Sequence, residues 1–192
     1  MDFKKIIQAV LNFIYRSIPV PIKDPKPTPM PPEPTPTPPS VPEPVIPKVD
    51  PRLKLYELAK SCLGKDIAAT QDELGCAEAI SYLLKQVQVK KFPKGGYLST
   101  TDLHSFLKKS DQFTQVPLSK NLPGDIIISP TGMSTKGAAH GHVGIMGYHG
   151  IMSNNSLNGL WQQYYSLESW SNYYGVKLGF PILVFRYAPP LS

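Results

Sequence analysis

Gly75-Cys76-Ala77-Glu78-Ala79-Ile80-Ser81 and His140-Gly141-His142-Val143-Gly144-Ile145-Met146 are the two stretches whose reading decides the fold. After the first, Ala79, Ile80, Leu83, Leu84 and Val87 recur at helical spacing, so a helix is expected from about Gly75 to Val87. That puts Cys76 at or beside its first turn. In the second, His142 to Met146 reads as a strand. Gly147-Tyr148-His149-Gly150 then joins it, as a hairpin, to a second strand from Ile151 to Asn155. Working outward, Leu53, Leu55, Tyr56, Leu58, Ala59 and Cys62 give an amphipathic helix that Gly64 ends. A third helix, capped by Thr100 or Thr101, carries Leu103, Phe106 and Leu107. Leu122-Pro123-Gly124-Asp125 turns into the strand Ile126 to Ile128, Ser129 to Gly141 is a loop, and Ile182 to Tyr187 is a final strand. Helices first and strands after predict an α+β domain with an antiparallel sheet.

Composition bounds the remainder. Of 22 prolines in 192 residues, 15 fall between Pro19 and Pro51. Proline lacks the amide donor and fixes φ, so residues 19–51 are expected to be an extended linker able to reach roughly 100 Å. Residues 52–192 then form one domain. Residues 1–18 place Phe3, Ile6, Ile7, Val10, Leu11 and Ile14 on one side of a helix, a pattern suited to docking on a membrane surface or a partner protein. The apolar run is too short to span a bilayer, and no small-residue cleavage site follows it. Net charge is +6, and from Arg52 onward 14 basic residues face 9 acidic ones. The cations are scattered and no nucleic-acid motif appears, so nucleic acid is not an expected partner.

The chemistry-bearing residues are few. A cysteine attacks carbonyls as its thiolate, and the unpaired amides of a helix start favour that charge, which makes Cys76 a candidate nucleophile. Those amides can also cradle an oxyanion. The other cysteine, Cys62, reads as a buried small hydrophobe, and both thiols are expected to be free. A base is then needed, and His142 at the head of its strand is the candidate, with His140 as a rival of the same strand parity. His104 and His149 are expected to face solvent. His140-Gly141-His142 lacks third and fourth ligands at metal-site spacing, so no metal and no cofactor is expected. If Met146 faces Ile151 across the hairpin, His142 falls opposite Asn155; a register slip of one puts Asn154 there. Trp161, Tyr164, Tyr165 and Trp170 either line a substrate groove, Trp161 and Tyr164 being the candidates, or pack in the core at helical spacing.

Four motifs in order carry a resemblance: Leu74-Gly75-Cys76-Ala77-Glu78-Ala79-Ile80-Ser81, Pro123-Gly124-Asp125-Ile126-Ile127, Gly141-His142-Val143-Gly144-Ile145 and Met152-Ser153-Asn154-Asn155-Ser156. From about Leu53 to Tyr187 the chain resembles the NlpC/P60 and CHAP superfamily, and most of all its phage-type members. The resemblance implies a papain-like fold and cleavage of an amide bond in peptidoglycan. The bond is either the one joining the muramyl lactyl group to L-alanine or one within the stem peptide. It carries the nucleophile onto Cys76, the base onto His142 and the third residue onto Asn154, with Asn155 as the alternative. Asp125 is expected to be structural. The implied setting is the cell envelope, or a phage product acting on the host wall, with the leader and linker tethering the domain near a membrane. Two other functions share these features: a thiol-dependent deamidase or acyltransferase acting on protein, and a non-catalytic wall-binding or virion module.

Overall fold

The computed structural model describes residues 50–68 and 75–190. The amphipathic leader at 1–18 lies outside these residues, as does the Pro-rich linker up to residue 49. Helix α1 (Pro51–Ser61) starts one residue before the expected domain boundary. The Asp50 carboxylate accepts from the Arg52 amide at 2.9 Å, and proline suits the first helical position, where an amide would have no helical partner. Helix α2 (Gly75–Gln86) buries Cys76, Ala77, Ala79, Ile80, Leu83 and Leu84. In α3 (Thr100–Lys109) the cap is Ser99, whose hydroxyl accepts from Asp102 N at 3.1 Å, so both candidate threonines are helical instead.

The strands are β1 (Phe113–Val116), β2 (Ile126–Ser129), β3 (His142–Met146), β4 (Ile151–Asn154), β5 (Trp161–Tyr165) and β6 (Leu183–Tyr187). They form one antiparallel sheet in the order β1-β6-β2-β3-β4-β5. The α+β class therefore stands. Strands β1 and β5 are additions to the expected set. Between β5 and β6 the chain forms a short helix, α4 (Leu167–Trp170), continued by a π-helical stretch, Ser171–Lys177.

Successive strand residues face opposite sides of a sheet, and both sides here are covered. Ile126, Ile128, Val143, Ile145, Met152 and Trp161 pack with α1, α2 and α3 in one core. Ile127, Met146, Ile151 and Val184 pack with Trp170, Tyr174 and Phe180 in a second. Each fully buried Ile or Leu contributes roughly 1.5–3 kcal/mol, so the continuous apolar strands β2 and β3 hold both layers. Asp125, wholly buried in the turn before β2, accepts from Arg186 Nε at 2.9 Å and Nη2 at 2.8 Å and from the Leu122 amide at 2.8 Å. It pins that turn to β6.

Candidate active site

Cys76 and His142 line one cavity of about 410 Å³, beside the N-termini of α2 and α3 and the head of β3. A larger hollow of about 620 Å³ lies elsewhere, lined by residues of α3 and its flanks, and neither Cys76 nor any histidine lines it. The chemistry, not the size, singles out the smaller one.

The Cys76 sulfur is approached by the backbone amides of Ala77, Val143 and Cys76 itself, all of which favour the thiolate. Burial outweighs them and pushes the thiol up to about 11. The helix-start argument is thus right in sign and loses in magnitude, because the desolvation that opposes it comes from packing. His142 is 7 % exposed, and burial pushes its imidazole down to about 4. The resting pair is a neutral thiol and a neutral imidazole.

What fixes the imidazole is a wall of aromatic rings. Tyr174 stacks on it at 5.6 Å with 13° between planes, Trp170 lies at 5.3 Å and Tyr165 meets it edge-on at 6.1 Å. Trp170 Nε1 donates to Ser129 Oγ at 3.2 Å, and Ser129 pairs with His142 across β2 and β3. His142 Nε2 is buried with no hydrogen-bond partner among the described residues. This wall comes from the end of β5, α4 and the π-helical stretch, which nothing in the hairpin motif announces.

The residue before His142 is held equally firmly. Gly141 N donates to Thr131 Oγ1 at 2.8 Å, Thr131 N donates to Thr100 Oγ1 at 2.9 Å, and the two hydroxyls lie 3.0 Å apart. A side chain at Gly141 would collide with the Ser129 carbonyl and the Thr131 amide. The head of β3 is thereby tied through the loop to the start of α3.

Met146 does face Ile151, and the same count sets Asn155 level with His142 and Asn154 level with Val143. Asn154 accordingly belongs to the α2 side of the sheet. A Cβ built on Gly75 would sit 2.7 Å from its Nδ2 and 2.6 Å from the Ala68 Cβ. It backs the Gly75-Cys76 corner. Asn155 makes a turn: its Oδ1 accepts from Leu157 N at 2.9 Å and its Nδ2 donates to Gln162 at 2.8 Å.

Of the groove candidates, Trp161 is corrected outright. It lies in a strand, is fully buried, and its Nε1 donates to the Ala59 carbonyl at 2.9 Å, so it cannot meet a ligand. Tyr164 is half-exposed at the irregularity where β5 shifts register against β4, its hydroxyl 3.4 Å from the Asn154 carbonyl. Tyr173 and Tyr174 line the cavity instead. Runs of tyrosine at 164–165 and 173–174 were the available signal, but periodicity does not distinguish them.

His140 is exposed and also lines the cavity; His149 is exposed in the hairpin turn, while His104 is partly buried edge-on to Phe185. Cys62 and Cys76 are both free. Among the described residues, no group of three or more His, Cys, Asp or Glu is placed to hold a metal ion. No protein-family model matches the chain, and no curated protein matches it.

Proposed function

We propose that the chain is a cysteine hydrolase with a papain-like domain of the NlpC/P60 and CHAP kind, cleaving an amide bond of peptidoglycan. The observation that carries this reading is that Cys76 and His142 line one cavity while the buried His142 Nε2 has no hydrogen-bond partner among the described residues. A buried nitrogen left unpaired costs about 1–3 kcal/mol, and a site that handles a proton has a use for it. Helices preceding an antiparallel sheet, with the cysteine opening a helix and the histidine opening a strand, agree with such a fold.

Because both groups rest neutral, the reaction must move the thiol proton to His142 as sulfur attacks, not before. The C–S bond forms, the amides near sulfur are placed to stabilise the oxyanion, and the C–N bond breaks as His142 hands the proton to the leaving nitrogen. Water, deprotonated by His142, then splits the thioester and the thiol is restored. The aromatic wall of Tyr165, Trp170 and Tyr174 orients the imidazole. Asn154 acts as a positioning residue for the Gly75-Cys76 corner.

Purified sacculi incubated with wild type and Cys76→Ala test this. Soluble products from wild type alone are expected. A folded wild type that releases nothing defeats the reading and turns attention to protein amides as substrates.

A further inference from the structure

We infer that the hollow along α3, apart from the Cys76 cavity, is a second binding site, one that takes a short peptide with both of its ends free. The inference does not rest on the hydrolase reading, since nothing in this site calls on the thiol. The hollow holds about 620 Å³, within the span of about 300–1,000 Å³ usual for ligand sites. Gly75, where the segment 69–74 enters, stands at the other end of α2, whose twelve residues span about 18 Å.

Its floor is aromatic. Tyr97 and Phe106 lie 5.5 Å apart with 37° between planes, both partly exposed, and Phe92 braces Phe106 edge-on at 5.0 Å. Its rim is charged. Asp102, Phe106 and Lys109 recur at the i, i+4, i+7 spacing of one helix face. The acid and the lysine therefore stand about 10 Å apart along α3. Lys91 belongs to the Lys109 end, because its turn is fastened to the residues just after α3. There Gln112, 2 % exposed, accepts from the Lys90 amide and donates Nε2 to the Lys90 carbonyl, both at 2.8 Å. Lys91 itself has a φ of 58°, a left-handed backbone that glycine adopts freely and lysine rarely. Folding alone would favour glycine there, and the lysine puts a cation on the hollow. Asp111 lines the same end. Among the described residues, none of these four charged side chains is in an ion pair, although all surround one hollow.

That arrangement has a polarity. One end offers a carboxylate alone, the other offers two ammonium groups and one carboxylate, and the rings lie between. A phosphate or other polyanion would meet Asp102 and Asp111, and a neutral sugar would leave both ends unused. A zwitterionic peptide of three residues is about 10 Å long when extended. Its amino terminus then reaches Asp102, its carboxylate reaches Lys91 and Lys109, and an apolar middle side chain lies on Tyr97 and Phe106. Thr100, two residues before Asp102, lines the Cys76 cavity, so the amino-terminal end is the one nearer the thiol.

The test is calorimetric titration of the full chain at low salt, where exposed charges are least screened. The probe is alanyl-leucyl-alanine, used free, with its amino end acetylated, and with its carboxyl end amidated. Expected are a Kd below about 1 mM for the free peptide and about fivefold weaker binding when either end is blocked. Asp102→Asn should cost the free peptide about fivefold and the acetylated peptide nothing. Lys91→Gln combined with Lys109→Gln should do the same for the free and amidated peptides, and Cys76→Ala should bind as wild type does. A Kd weaker than about 1 mM, or blocked peptides bound as tightly as the free one, overturns the inference. So do charge variants that leave every affinity unchanged or weaken all three peptides equally. None of these outcomes bears on release from sacculi, which tests the hydrolase separately.

Discussion

Acid unfolding offers a direct reading of the His142 site. The perturbation is a shift from pH 7 to pH 4.5, compared between wild type and His142→Phe, which keeps a ring in the aromatic wall. The imidazole falls from its ordinary 6.5 to about 4 on folding. Above 6.5 both states are neutral and nothing is lost. Between 6.5 and 4 the unfolded chain takes a proton that the folded chain refuses, so stability falls with pH. At about 1.4 kcal/mol per unit, the loss from pH 7 to 4.5 is roughly 2 kcal/mol, levelling near 3 kcal/mol below pH 4. Urea unfolding followed by tryptophan fluorescence reads this as a midpoint drop of about 1 M more in wild type than in His142→Phe. Carboxylates titrate in both proteins and cancel in the comparison. Equal drops would refute the claim that His142 is buried neutral.

Other outcomes follow from the packing around the site. Gly75→Ala forces a methyl against Ala68 and Asn154; a cost of about 1–3 kcal/mol is expected, a Tm lower by roughly 3–10 °C, with activity falling further than stability alone explains. Thr131→Val leaves the Gly141 amide without its partner, so about 1–3 kcal/mol and roughly tenfold in kcat should be lost, and Thr131→Ser should recover most of both. Arg186→Met leaves the buried Asp125 without its cation and should cost about 3 kcal/mol in denaturant melts, with kcat unchanged at low temperature.

The architecture was legible where local pattern and tertiary role coincide. The apolar stripe of Ala79, Ile80, Leu83 and Leu84 faces the core that spacing assigns to it, and the hairpin joins Met146 to Ile151 as counted. Where two periodicities overlap, sequence misleads. Trp161, Tyr164 and Tyr165 fit a helix by spacing, yet they lie in β5, where a register shift displaces Tyr164 and hides the alternation. Thr100 and Thr101 look like caps because capping needs a hydroxyl, but the loop at Thr131 claims both. The aromatic wall behind His142 was illegible because it is assembled from a segment more than twenty residues away. The Cys76 thiol shows the same limit: the helix start is a local signal and the burial opposing it is not.

That burial also bears on how long the protein lasts. Peroxide attacks the thiolate, and burial that raises the thiol from 9.0 to about 11 leaves far less of it at neutral pH than an ordinary cysteine has. Oxidation to sulfenic and sulfinic acid should slow accordingly. Among the described residues Cys76 is the one sulfur lining that cavity, and its burial keeps it in reduced form longer under oxidant than an ordinary cysteine would last.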